Sequence, residues 1–235
     1  MSAVTIVALV TTVNVSSFFV FGSLLHWLLH RGPSAAVARR RHQPDRQQTA
    51  AMMRAKVPLV VCNGVLISAM VGAGIAFAAA HGATAWRGPV HLVLSLLGLG
   101  LCYHLALCYV HRAMHLPGLF RAFHHLHHRF KAPMFLDALY EHPLEAVYGG
   151  IVLSLPLYVA PVSLWGYLAF FAIVGLHEII DHSGLDIDLP LLSRSWNHDE
   201  HHRRSNCYYG QLLPLLDHAH GSAPPPVPRA SRRRA

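Results

Sequence analysis

Apolar and polar residues alternate along this chain in long blocks. Residues 3–29 are almost wholly apolar, and about 20 such residues suffice for a bilayer-spanning helix. A second apolar run covers Val57 to Ala80 and a third covers Pro89 to Val110. A fourth, Ala146 to Leu176, contains Pro156 and Pro161 and is too long for one simple span. Proline interrupts helical hydrogen bonding, so this run predicts two helices folded into a membrane hairpin over 146–176. The pattern therefore predicts an all-α fold, an integral-membrane helical bundle. No Lys or Arg precedes the first run, so the basic start of a signal peptide is missing and the run reads as a retained span.

Composition strengthens this reading. Charged residues make up 13% of the 235, about half the share of an ordinary soluble domain. The four cysteines, Cys62, Cys102, Cys108 and Cys207, form no CxxC pair. That argues against a disulfide framework or a zinc finger. Nothing in the sequence suggests a nucleic-acid partner.

Charge placement predicts an orientation. Arg31, Arg39, Arg40, Arg41, Arg46, Arg54 and Lys56 separate the first two runs, whereas only Arg87 separates the second from the third. The first loop is expected in the cytoplasm and the N-terminus outside. Three segments follow: spans and a basic loop over 1–99, a catalytic region over 100–221, and a disordered basic tail over 222–235. No long repeat is visible.

Histidine changes the picture most. There are 20, of which 15 fall from His104 to His220. The third run leads directly into His111 and His115, four residues apart and so on one helix face. His124, His127 and His128 follow as H-x-x-H-H, and the same spacing returns at His198, His201 and His202. On a helix, each set would again share a face. His177 and His182 close the fourth run. With the hairpin in place, all of these clusters reach one membrane face and form a cytoplasmic, histidine-rich helical cap. Ten imidazoles are too many for one ion but suit two transition metals.

Ten of the eleven acidic residues lie between Asp137 and Asp217, among these clusters. Carboxylates commonly accept the far N–H of a metal-bound imidazole. Asp137, Glu141, Glu145, Glu178, Asp181, Asp186, Asp199 and Asp217 are candidates for that role. His104, two helical turns before His111, is a candidate to support the site or line a substrate path, and an ionisable group inside a span is costly enough to suggest function. His142 and Asn206 complete the set of nearby candidates. His125 reads as supporting or surface, and His26, His30, His42, His81, His91, His218 and His220 as ordinary interface residues.

Several segments, in order, carry a family resemblance. Tyr109-Val-His111-Arg-Ala-Met-His115 resembles the first histidine box of the fatty acid hydroxylase superfamily, which includes sterol desaturases and 4-methyl sterol oxidases. His124-His-Leu-His127-His128-Arg-Phe-Lys-Ala-Pro133 resembles the second box. Tyr140-Glu-His142-Pro143-Leu-Glu145 and His182-Ser183-Gly184-Leu-Asp186 are similar to segments of the sterol branch. His198-Asp-Glu-His201-His202, Asn206-Cys-Tyr-Tyr-Gly210 and Asp217 are similar to the third box and its tail.

The resemblance implies a di-iron centre that uses O2 to oxidise an unactivated C–H bond of a lipid, whether sterol-like, fatty acyl or isoprenoid. Zinc could substitute for iron in the same ligands. Two electrons per turnover are needed, and the chain has neither a G-x-G-x-x-G fingerprint nor a region for a flavin or haem. A separate ferredoxin, rubredoxin or b-type cytochrome with its reductase is expected. The expected location is a bacterial inner membrane, or the endoplasmic reticulum in a eukaryote. A desaturase on the same metal centre is the nearest alternative. A membrane metal sensor or transporter is the alternative of another class, although transporters tend to place their ligands near the midplane.

Overall fold

A computed structural model describes residues 1–30, 39–43, 48–188 and 192–225. Arg31, Arg46 and the end of the basic tail lie outside the described residues. The principal helices are α1 (Ala3–His30), α2 (Ala50–Ala80), α3 (Pro89–Met114), α4 (Pro143–Val159), α5 (Leu164–Asp181), α6 (Ser195–Arg204) and α7 (Leu215–Ala219). No β-strand occurs among the described residues, only an isolated bridge between Arg41 and Leu185.

Helices α1, α2, α3 and α5 are long and apolar enough to cross a membrane, and α4 is a shorter apolar helix. The chain is thus a multi-pass membrane protein. On α3 the two faces separate cleanly. Val90, Leu94, Leu97, Leu101 and Leu105 are exposed, while Ser95, Leu99, Tyr103, Cys108 and His111 are buried. This spacing of three and four residues turns one stripe to lipid and the other to the bundle.

Small residues let the helices approach. A Cβ added at Gly72 of α2 would lie 2.9 Å from the Val7 Cα of α1, so only glycine fits that crossing. Asn14 of α1 donates to Ser68 of α2 at 2.7 Å.

The fourth apolar run is a hairpin, with boundaries wider than its hydropathy. Helix α4 begins at Pro143, after His142 caps it by accepting the Leu144 N–H at 3.2 Å. The chain breaks at 160–163, and Ser163 caps α5. Tyr167, fully buried, donates its hydroxyl to the Leu153 carbonyl at 3.0 Å across the hairpin.

Helix α2 likewise starts seven residues before its apolar run. The reason is Lys56, which sits inside the helix rather than on the basic loop. It is 1% exposed and ion-paired with Asp137. Gln48 and the Met134 N–H also bond the Asp137 carboxylate, and Lys56 lies over the Phe130 ring, 3.5 Å from its centroid. A lysine is tolerated in that setting because its charge is paired and its donors are used.

One end of every long helix meets the same region. The last residue of α1, His30, bonds the Ser183 carbonyl at 3.2 Å. Residues 40–42 pair with 184–186 through His42 N–H to the Gly184 carbonyl and Asp186 N–H to the Arg40 carbonyl.

Candidate metal centre

Helix α3 runs without a break through its apolar face into His111, and His115 caps its C-terminus. The second histidine box does not form the regular helix its spacing suggests. A π-helical turn, Phe120–His124, is followed by a 3-10 turn, His127–Arg129. The third box is regular, on α6. Ser205 ends α6 in the left-handed region at φ 61°. Its hydroxyl lies 3.3 Å from His128 Nδ1, and its backbone engages His115.

Nine histidines converge into two adjoining groups. His111, His115, His124, His128 and His201 form one, and His127, His182, His198 and His202 form the other. Within each group the ring nitrogens lie within 4.8 Å of one another. Each H-x-x-H-H box is split between the groups. The second box sends His124 and His128 to the first group and His127 to the second. The third sends His198 and His202 to the second and His201 to the first. The groups touch where His128 stacks on His202, with ring centroids 4.6 Å apart.

Facing nitrogens have the spacing of shared coordination. His111 and His124 Nε2 are 3.1 Å apart, His182 and His198 Nε2 3.0 Å, and His198 and His202 Nε2 3.1 Å. Two imidazoles on one ion with bonds of about 2.0–2.1 Å would be separated by similar distances. The Nε2 atoms of His115, His128 and His201 are buried without a hydrogen-bond partner among the described residues. Orphaned buried acceptors that point into one cluster are the donor set a transition metal requires. The residues present therefore fit metal ions.

Three of the opposite ring nitrogens are held by backbone carbonyls. His111 Nδ1–H donates to Tyr209 (2.9 Å), His201 to Cys207 (2.7 Å) and His182 to Glu178 (2.9 Å). Such bonds fix the tautomer that presents Nε2 to a metal. Among the predicted carboxylates, Glu145 makes the shortest contact with a grouped imidazole, 2.5 Å from His124 Nδ1. Glu178 Oε2 stands farther off, 3.8 Å from His182 Nδ1.

The remaining candidates take other places. His177 stands outside both groups, 3.2 Å from Asp181. Asp217 accepts the Tyr209 and Gly210 N–H groups, both at 2.8 Å, and so fixes the loop whose carbonyl holds His111. Ser222, expected in the tail, also bonds Asp217 at 2.7 Å. Asp186 pairs with Arg194, Asp199 accepts from Gln43 at 2.9 Å, and Asn206 is exposed. His104 is buried on α3 with both ring nitrogens unpartnered among the described residues. His142 serves as the cap of α4.

Burial lowers the basicity of the imidazoles, and mutual repulsion lowers it further. His115 falls to about 3 and His182 to about 4. His127, His128, His198, His201 and His202 are all held well below the usual value for the same reasons. These rings are neutral at physiological pH, the state in which imidazole can bind a metal.

A cavity of about 740 Å³ lies between the apolar helices and ends at this centre. Val10 and Phe18 of α1, Ile67 of α2, Leu107 of α3, Val152 of α4 and Phe171 of α5 form part of its wall. His111, His124 and His127 stand at the metal end with Glu141, Glu145, Glu178 and Gln211. Tyr148 also lines it, with its hydroxyl on the Ala106 carbonyl at 3.2 Å.

Fold and site together define a multi-pass, all-helical membrane protein with a polyhistidine centre at the end of an apolar cavity. The family model "Fatty acid hydroxylase" matches residues 96–222, just over half of the chain, and the chain belongs to that family. It is 31% identical over 149 residues to human fatty acid hydroxylase domain-containing protein 2, covering 58% of this chain and 43% of that protein. It is 30% identical over 197 residues to fatty acid hydroxylase ahd1 of Mycosarcoma maydis (79% and 49%), and 28% over 144 residues to lathosterol oxidase of Rattus norvegicus (58% and 47%). The chain thus spans less than half the length of each of these relatives. No solved structure matches it.

Proposed function

We propose that this protein is a membrane-bound di-iron oxygenase that hydroxylates or otherwise oxidises an unactivated C–H bond of a lipid. The observation that carries the reading is the cavity, which joins the apolar interior of the bundle directly to His111, His124 and His127. A lipid can enter from the bilayer with most of its body still in an apolar environment. Relatives named as a sterol oxidase, sterol desaturases and a methylsterol monooxygenase support a lipid substrate.

The five-histidine and four-histidine groups would hold one iron each. Bound iron would supply O2 activation and the redox chemistry. The chain's own residues then do three things. The nine imidazoles bind and orient the metals, with Glu145 and the carbonyls of Tyr209, Cys207 and Glu178 fixing their rings. The apolar wall positions the lipid and excludes water. The buried setting keeps His115, His127, His128, His182, His198, His201 and His202 neutral and ready for metal. Electrons would come from a separate donor, a ferredoxin, rubredoxin or b-type cytochrome. The basic first loop supports a cytoplasmic metal face.

The test is iron per chain after expression in iron-supplemented cells, followed by a screen for O2-dependent lipid products. Two irons per chain are expected from the two groups, with one lost in His127→Ala and the other in His201→Ala. No bound metal, or metal without any O2-dependent product, would return the protein to a metal sensor or transporter. An alkene product would instead assign the desaturase reaction.

A further inference from the structure

Two rings of the five-histidine group lean on one short loop. His201 Nδ1–H donates to the Cys207 carbonyl, and His111 Nδ1–H donates to the Tyr209 carbonyl two residues further on. Between them, Tyr208 sits in the left-handed region at φ 52°. That conformation disfavours a residue with a Cβ, and it persists only where the surroundings over-determine it. In the four-histidine group, His182 bonds the Glu178 carbonyl of the helix it ends instead.

The C-terminal segment supplies what holds Tyr208. The Tyr208 N–H donates to the Ser222 carbonyl at 3.0 Å, and its hydroxyl donates to the Pro224 carbonyl at 3.3 Å. Ser222 is buried. Its hydroxyl donates to Asp217 Oδ1 at 2.7 Å and accepts from Arg112, the residue after His111, at 3.3 Å. The Asp217 carbonyl in turn accepts the Ser222 and Ala223 N–H groups. A Cβ added at Gly210 would lie 2.8 Å from the Leu213 carbonyl and 3.0 Å from Asp217 Oδ2, so bare backbone is what lets the carboxylate reach the loop. Residues 217–224 thus cross the loop as a strap, bonded to the loop on one side and to α3 on the other.

We propose that this strap positions the ligands of one metal ion only. Through Asp217 and Ser222 it holds the Tyr209 and Cys207 carbonyls against His111 and His201. Loosening it therefore weakens the ion of the five-histidine group and leaves that of the four-histidine group unchanged. Ser222 is a positioning residue that acts through the loop. A ring whose acceptor moves loses the tautomer and orientation that present Nε2 to a metal. The inference rests on the reading of one ion in each group.

The test is iron(II) affinity, measured by anaerobic chelator competition on the detergent-solubilised full chain. His127→Ala and His201→Ala backgrounds isolate the two ions, because the first removes a ligand of the four-histidine group and the second a ligand of the five-histidine group. In the His127→Ala background, Ser222→Ala should weaken binding by roughly fivefold, the worth of one hydrogen bond. Asp217→Ala removes the acceptor of Tyr209, Gly210 and Ser222 together and should weaken it by about 10–100-fold. In the His201→Ala background neither substitution should change the affinity. A general loosening of the fold would move both ions together, so selectivity between them is the readout.

If Asp217→Ala loses iron in both backgrounds because it does not fold, Ser222→Ala and Tyr208→Phe decide the matter. Equal weakening of both ions by Ser222→Ala, or an unchanged five-histidine ion, would overturn the proposal. A wild type that binds fewer than two irons would overturn it together with the two-ion reading. Failure of the lipid-oxidising reading is distinguishable: two irons would bind and respond selectively to the strap, while no O2-dependent product would form.

Discussion

His201 and His202 are neighbours in the chain, yet their rings are nearly perpendicular, with centroids 5.9 Å apart and planes 85° apart, and they serve different groups. On α6, consecutive side chains project about 100° apart, so one short helix feeds two sites. Substitutions in one group should then behave as a unit, while substitutions across groups should add. Combining His128→Ala with His201→Ala, both in the five-histidine group, should cost no more metal than either alone. Combining His201→Ala with His202→Ala should remove both ions. Elemental analysis of the purified variants decides this, and additive loss within one group would argue against a shared ion.

Glu145 holds a grouped imidazole, that of His124, without belonging to either group. Its carboxylate lies 2.5 Å from His124 Nδ1, and loss of such a contact typically lowers metal affinity by about 10–100-fold. Glu145→Ala is expected to fall in that range in a chelator-competition titration. Glu145→Gln, which can still accept the N–H, should lose less. Equal affinity in all three proteins would mean that the His124 ring is set by its neighbours alone.

The Lys56–Asp137 pair, with side chains 2% and 0% exposed, ties α2 to the segment after the second histidine box. Breaking a buried pair on one side leaves an uncompensated charge and typically costs about 3–5 kcal/mol. Lys56→Met should therefore lower thermal stability sharply, and Lys56→Met with Asp137→Leu should recover much of the loss. If the double variant is no more stable than the single, the pair's value lies in packing or in the Phe130 contact.

The sequence made the architecture legible to a large degree, for physical reasons. Apolar run length marks membrane helices because the bilayer fixes how much apolar chain is needed; of the two prolines expected to break the fourth run, Pro161 lies in the break and Pro156 sits inside α4. Histidine spacing identified nine of the residues that converge. The split of each box between two groups was not legible, because it depends on the π and 3-10 turns over Phe120–Arg129 rather than on an ideal helix. Nor were the partners of the ligands: the carbonyls of Tyr209, Cys207 and Glu178 leave no trace in residue type. Carboxylates drew attention instead, and Asp137 proved to hold Lys56, whose burial a basic loop had concealed. Asn63, inside an apolar run, gave no sign that it pins the segment bearing Glu141 by donating to the Leu139 and Glu141 carbonyls.

The grouped imidazoles also imply a particular response to pH. In an unfolded chain each titrates near 6.5, whereas in the folded protein His115 is lowered to about 3 and His182 to about 4, with His127, His128, His198, His201 and His202 lowered as well. The unfolded state therefore binds more protons below pH 6.5. The linked stability is fully present above that pH and is lost as pH falls toward the folded values. Metal-stripped protein should thus melt at progressively lower temperature from about pH 6.5 downward. Metal affinity of the four-histidine group in the still-folded protein behaves differently, because His127, His182, His198 and His202 stay neutral until lower pH and have no proton to release. A chelator titration of that group is expected to give nearly constant affinity from about pH 7 to about pH 5. A steep fall just below pH 6.5 would show that the rings titrate like exposed histidines, and the dry, mutually repelling cluster would then be the wrong description of the site.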